Sequence, residues 1–418
     1  MSGAHQAIDA VWRIEQAKLI ASLARFTRDL SQAEELAQDA LLLALEQWPK
    51  TGIPDKPGAW LMTTARNRAI DRARKAKLAE GKHAEIGRER DAEQETALAA
   101  LEEALDDPVG DDLLRLIFVS CHPVLPTDAR TALTLRLISG LTTEEIAKGF
   151  LLAEPTIAQR IVRAKRTLAE KRIPFEIPRG PELVARLASV LEVIYLTFNE
   201  GYSATQGDDW MRPQLCEEAM RLGRILCGLM PAEAEVFGLT ALMEIQASRI
   251  AARTGPAGEP ILLLDQDRSL WDQLLIRRGL AALARAEALR PMLGPYGLQA
   301  AIAACHARAT EAARTDWARI AALYDALAAR AGSPVVELNR AVAHAMVKGP
   351  QAGLDLVDPL LGEAALKTYY LLPSVRGDFL VKLGRLGEAE VEFRRAADLT
   401  QNAREKSLLL ERAAACRQ

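Results

Sequence analysis

Two short stretches gather cationic side chains in a chain whose formal net charge is −3. Between 66 and 77 lie Arg66, Arg68, Arg72, Arg74, Lys75 and Lys77 against a single acid, Asp71. Between 160 and 172 lie six Lys or Arg against Glu170 alone. Such density attracts phosphates, whose condensed counterions are released on contact. The first stretch follows Trp60, Thr63, Thr64 and Asn67. A ring beside amide and hydroxyl groups suits an opened nucleic-acid strand, because unstacked bases pack on the ring while Asn and Thr meet base edges. The second stretch follows Thr156 and Gln159 and runs through Arg160, Arg163, Lys165 and Arg166. Base-competent residues first and cations after them is the order that major-groove docking needs. On the residues alone, each stretch is equally an amphipathic helix with a charged exposed side.

These side chains need helices to hold them. QAEELAQDALLLALEQW (32–48) places Leu36, Ala40, Leu41, Ala44, Leu45 and Trp48 on one stripe, the spacing of an α-helix. Its opposite face offers Glu34, Glu35, Gln38 and Asp39, either a solvated acidic face or a docking surface. A proline-containing turn leads to a second helix, GAWLMTTARNRAIDRARK (58–75). Further on, Thr142 and Glu145 form a capping box that starts a helix at 143, each satisfying the other's backbone N–H. Ile146, Ala147 and Phe150 mark its inner face. Pro155 suits the first turn of the next helix, whose apolar stripe is Ile157, Ile161 and Leu168. The pair reads as a helix-turn-helix. Leu151 stands where many such turns have Gly, and Pro155 where a polar residue is usual, so the shape of the turn stays open. Residues 78–112 carry twelve Asp or Glu and three Lys or Arg and lack apolar periodicity, which reads as an acidic linker.

LAQDALLLALEQW followed by AWLMTTARNRAIDRARK resembles regions 2.2 to 2.4 of the extracytoplasmic-function (ECF) sigma factors, of the sigma-70 family. That family has an acidic/amide pair and then W-L-x-x-x-A-R-N-x-x-x-D-x-x-R. Here these are Gln38 and Asp39, then Trp60, Leu61, Ala65, Arg66, Asn67, Asp71 and Arg74. The family's region 4.2 pattern is met by Glu145, Ile146, Ala147, Thr156, Ile157, Arg160, Ile161, Arg163, Ala164 and Lys165. The resemblance implies a core RNA polymerase contact through the β′ clamp (Leu36, Gln38, Asp39, Leu42) and the β flap. It implies capture of the melted −10 strand by Trp60, Thr63, Thr64, Asn67, Arg68, Arg72 and Arg74, with Asp71 orienting neighbouring arginines. It implies −35 recognition by Thr156, Gln159, Arg160, Arg163 and Lys165.

The expected organisation is all-α: a region 2 domain over 1–77, the acidic linker over 78–110, a region 4 domain over 111–176, a helical extension over 177–290 and tetratricopeptide-like repeats over 291–418. Trp317, Ile320, Ala321 and Tyr324 fit the W-x2-L-G-x2-Y spacing of such a repeat. Gly377, Ala389, Phe393 and Ala396 sit at its offsets 8, 20, 24 and 27, where small residues let two helices approach and Phe393 fills the groove. YLTFNEGYSAT (195–205) resembles the start of the extension in a tetratricopeptide-bearing subgroup. Asn199, Glu200, Gly201 and Tyr202 are either a helix terminus or an interface between the extension and the sigma modules. A helical-repeat surface suits a protein partner, here a possible regulatory one.

Composition narrows the remaining classes. Hydrophobic residues make up 49% of the 418, so large cores can form. The five cysteines are dispersed without a CxxC pair, which predicts neither a disulfide framework nor a zinc knuckle. No nucleotide-binding, serine-hydrolase or zinc-protease motif occurs, so no catalysis and no cofactor or metal are expected. There is no signal pattern and no stretch of 18 apolar residues, so a reduced cytoplasmic protein without a membrane role is expected. The rival reading is a duplex-only helix-turn-helix regulator with a helical-repeat sensor, and a third is a repeat scaffold with incidental basic helices.

Overall fold

In a computed structural model of the chain, the described residues are 3–80, 109–150, 152–203, 211–255, 259–400 and 402–417. Their regular structure is helical, with an isolated bridge between Thr254 and Pro260. Most of the acidic linker and Leu151 lie outside the described residues. The chain divides into two units, Met1–Val193 and Ile194–Gln418.

In the first unit, α1 (Gly3–Thr27), α2 (Leu30–Thr51) and α3 (Pro57–Glu80) pack together. Asp29 starts α2 by accepting the Ser31 and Gln32 N–H groups at 2.7 and 3.1 Å, which satisfies donors that a helix start leaves unpaired. Leu36, Ala37, Ala40, Ala44 and Trp48 are buried along one side of α2, facing Leu61, Ala65 and Ala69 of α3 and Leu19, Ile20 and Leu23 of α1. The remaining helices among the described residues are α4 (Val109–Ser120), α5 (Thr127–Leu137), α6 (Thr143–Phe150), α7 (Glu154–Glu170) and the start of α8 (Gly180–Tyr202). The capping box at α6 is reciprocal: the Thr142 N–H donates to Glu145 at 2.8 Å and the Glu145 N–H to the Thr142 hydroxyl at 3.0 Å. Ile146, Ile157, Ile161 and Leu168 are buried between α5, α6 and α7, as the helix-turn-helix reading requires.

The second unit takes the end of α8 and then α9 (Pro213–Leu229), α10 (Ala234–Ala247), α11 (Gln273–Leu289) and α12 (Pro295–Arg308). It continues through α13 (Trp317–Ala331), α14 (Pro334–Lys348), α15 (Pro350–Val357), α16 (Leu371–Lys382), α17 (Leu386–Leu399) and α18 (Ala403–Ala415). Pro295, Pro334 and Pro350 each open a helix, where the missing N–H costs nothing. α10 is apolar almost all round and is buried among α9, α11 and α12. Pairs α13–α14 and α16–α17 are helical hairpins. Ile320 and Ala321 are buried, with Trp317 and Tyr324 packed against the same core. Gly377 lies under the Phe393 ring, where a Cβ would come within 2.8 Å of Cε1. The small residue and the aromatic therefore do what their offsets predicted. No helix among the described residues is long and apolar enough to cross a membrane.

Candidate nucleic-acid interface

Trp60, Thr63, Thr64 and Asn67 recur at the spacing of one side of α3. Thr63 and Asn67 are exposed and Trp60 and Thr64 half-buried. Trp60 is braced edge-on by buried Trp48 of α2, with ring centroids 5.2 Å apart. The line therefore offers a partly open ring followed by hydroxyl and amide groups. Arg68 and Arg72 lie about 80° and about 120° further round the helix from Trp60. That flank meets α2. Arg72 donates to Glu35 at 2.9 Å and to Asp39 at 3.1 Å, and Arg68 stands 3.9 Å from Asp39. The acids that hold these arginines come from α2, whereas Asp71 forms no ion pair among the described residues. Both arginines remain exposed, so these are surface pairs worth about 0–1 kcal/mol and readily exchanged. The Arg74 side chain lies outside the described residues.

On α2, Gln38 and Leu42 are exposed and Asp39 is half-buried. Leu36 is a correction to the expected docking set: it is 2% exposed and belongs to the core. Its spacing with Ala40 and Ala44 puts it on the inward stripe. Between Leu36 and the exposed face sits a residue that the sequence pattern treated as ordinary surface. Glu34 is buried, and its carboxylate receives the Arg136 Nε at 2.9 Å, the Lys165 ammonium and the Gln38 amide at 3.4 Å. Arg136 also donates to the Leu141 carbonyl at 3.2 Å, and its own carbonyl accepts from Gln16 at 3.3 Å. One carboxylate of α2 thus ties α5 and α7 to α2, and the Gln16 bond to the Arg136 carbonyl adds α1.

The exposed side of α7 carries Thr156, Gln159 and Arg163. Arg160 is half-buried and pairs with Asp128 at 3.1 Å. Arg166 pairs with Glu170 at 2.7 Å, and that hydrogen bond raises its pKa further. Lys165 stands apart from the other expected −35 residues. It lies about 180° round the helix from Thr156, and its side chain is spent on Glu34. It does not share the face that Thr156, Gln159 and Arg163 present. Near this unit's core, burial pushes the Cys121 thiol up to about 11 and the His122 imidazole down to about 4. Among the described residues, no group of His, Cys, Asp and Glu could hold a metal ion.

The extension motif packs within the second unit. Glu200 pairs with Arg212, and the Asn199 carbonyl accepts the Ser203 N–H at 2.8 Å. Tyr202 stacks on Phe198 with centroids 5.5 Å apart. Gly201 sits in the last turn of α8, where a Cβ would come within 2.7 Å of the Cys216 backbone nitrogen. It is there for the close approach of α9, not for a left-handed backbone.

Family models match the chain in the same order. Residues 13–78 match Sigma-70 region 2, 115–168 match Sigma-70, region 4, and 186–287 match a family of unknown function (DUF6596). An uncharacterized protein of Rhizobium meliloti (strain 1021), R00370, is 44% identical over 396 residues, spanning 93% of this chain and 90% of its own. The ECF RNA polymerase sigma factor SigL of Mycobacterium tuberculosis is 30% identical over 146 residues, 34% of this chain and 76% of its own. The RNA polymerase sigma-H factor of Pseudomonas aeruginosa is 28% identical over 180 residues, 40% of this chain and 86% of its own. Sigma-70 regions 2 and 4 in this order, together with a match across three quarters of SigL, make the chain a member of the ECF RNA polymerase sigma factors, here with a long helical extension.

Proposed function

We propose that this sigma factor loads core RNA polymerase onto promoters by dividing the work among three helices. Gln38, Asp39 and Leu42 of α2 meet the β′ clamp, and region 4 meets the β flap. Trp60, Thr63, Thr64 and Asn67 of α3 take the opened −10 strand, with Arg68, Arg72 and Arg74 drawn to its phosphates. Thr156, Gln159 and Arg163 of α7 read the −35 duplex from the major groove, with Arg160 and Lys165 joining once they leave Asp128 and Glu34.

The observation that carries this reading is the partly exposed line on α3. Trp60 is propped edge-on by Trp48 and followed by outward Thr63 and Asn67. A duplex-only regulator has no use for a propped ring beside base-competent groups. The two reading helices work in sequence because contact at one promoter element raises the local concentration of the other. No step here requires catalysis by the factor. The reading puts the chain in the cytoplasm with the polymerase, and gives the extension a regulatory or partner-binding role.

Reconstituted transcription tests it. Core polymerase plus this protein alone should open and transcribe a cognate promoter. Asn67→Ala with Trp60→Ala should abolish permanganate reactivity of the −10 thymines while core binding persists. Duplex binding without any association with core enzyme would overturn the proposal in favour of the duplex-only regulator.

A further inference from the structure

The second unit contains a cluster of half-buried arginines around two buried polar rings that the initiation reading does not use. It is built where α10 ends, where the loop before α11 crosses, and where α12 ends. Trp271, 3% exposed, has two guanidinium groups over its ring, that of Arg268 4.9 Å and that of Arg249 5.8 Å from the centroid. Arg249 reaches only neutral partners, donating to the Tyr202 hydroxyl at 2.7 Å and to the Gln246 side chain. Arg268 likewise donates to the His306 and Ala309 carbonyls at 2.8 and 2.7 Å and to the Thr315 hydroxyl at 3.2 Å. Neither arginine forms an ion pair among the described residues. The nearby acids are engaged elsewhere. Asp267 and Asp272 accept backbone N–H groups at Ser269, Leu274 and Leu275.

Several polar atoms in the same place have no hydrogen-bond partner. The Arg249 Nε, the Arg268 Nε, the Trp271 indole N–H and the His306 Nδ1 are buried and unbonded. Trp271 and His306 are both more than nine-tenths buried. A buried polar group without a partner is costly, and a charged one more so. Four such atoms beside two half-buried guanidiniums that lack an acidic partner is an expensive arrangement for a purely structural packing. It is the arrangement expected of a preorganised anion site, in which donors are fixed before the ligand arrives.

We propose that Arg249, Arg268, Trp271 and His306 form a binding site for a small oxyanion of the phosphate class, either free phosphate or the phosphate group of a small ester. The two guanidiniums supply the charge and the indole N–H and imidazole supply direction. The depth of Trp271 and His306 favours a small ligand over a phosphorylated protein segment. The groups belong to three separate segments, around 249, 268–271 and 306, so an anion bridging them would tie those segments together. The site stands apart from the initiation reading: either can fail without the other.

The test is isothermal titration of the full-length protein with inorganic phosphate and, separately, with glycerol phosphate, at constant ionic strength set by chloride. Saturable binding of phosphate and a matching rise in Tm are expected, with chloride inert. Arg249→Gln and Trp271→Phe should each weaken phosphate at least tenfold, and Arg249→Lys less than Arg249→Gln. Circular dichroism checks that each variant is folded. Arg249 is the primary probe because its partners are side chains, whereas Arg268 also holds two backbone carbonyls. Tighter binding of glycerol phosphate than of phosphate assigns the site to an ester; the reverse assigns it to the free ion. Phosphate no better than chloride, or phosphate binding undiminished in folded Arg249→Gln and Trp271→Phe, overturns the proposal.

Discussion

Glu34→Gln isolates the ion pair that ties α7 to α2. In the wild-type protein the carboxylate is shared by Arg136 and Lys165, with side-chain exposures of 10% for Glu34, 22% for Arg136 and 13% for Lys165. Removing one partner of a buried ion pair typically costs about 3–5 kcal/mol. Gln keeps the volume and one acceptor oxygen, so about half of that, ~2 kcal/mol, disappears with the charge, a factor of about 30. Lys165 can reach a phosphate only by giving up Glu34, so that energy opposes duplex binding in the wild type. The variant should bind duplex DNA up to ~30-fold more tightly, and its log K against log salt should steepen by about 0.9, one added phosphate contact. Fluorescence anisotropy with a labelled duplex, without polymerase, reads both quantities and is blind to any role of α2 at the clamp. Glu35→Gln is the control: it removes the same charge but breaks a pair exposed by 63% and 47%, worth at most about 1 kcal/mol. Lys165→Gln added to Glu34→Gln should cancel the steeper slope. An unchanged slope and affinity in a folded Glu34→Gln protein, or a gain matched by Glu35→Gln, would refute the reasoning.

Other outcomes follow from the same geometry. Arg163→Gln should flatten the salt slope of duplex binding by about 0.9 across sequences, whereas Gln159→Ala should cost about 1–3 kcal/mol at particular base pairs only, both read by competition binding. Gly201→Ala places a methyl within 2.7 Å of the Cys216 backbone and should destabilise the second unit by at least ~2 kcal/mol in thermal melts. Gly228→Ala, with nothing within 4 Å of the new methyl, should instead stabilise α9 by up to ~1 kcal/mol. His306 is held down to about 4, first by burial and then by the Arg249 and Arg268 charges. Its folded pKa is below the unfolded value, so the unfolded state binds the proton first as pH falls. The contribution is present above about 6.5 and is lost as pH falls toward about 4, at most ~3 kcal/mol. Tm measured across that window should fall less steeply in His306→Asn.

Much of this protein is legible in its amino-acid sequence. Helical spacing gave the inward stripes of α2 and α7, because one buried face repeats every three to four residues whatever the partner. The capping box at Thr142 and Glu145 is local chemistry and appeared where the pattern put it. Gly377 and Phe393 are sixteen positions apart, yet their offsets within one repeat foretold the contact that the hairpin makes. Only tertiary structure could decide what lies opposite each helix. Lys165 reads as a DNA contact in sequence, and it is occupied because an acid on α2, 131 residues earlier, meets it. Glu34 looks like part of a solvated face until α5 and α7 cover it. Leu36 sits on the stripe that folding removed from any docking surface. The Arg249, Arg268, Trp271 and His306 cluster has no spacing to betray it, since a loop crossing and two helix ends assemble it. Periodicity reports which side of a helix is buried. The identity and charge of the group that buries it are properties of the fold.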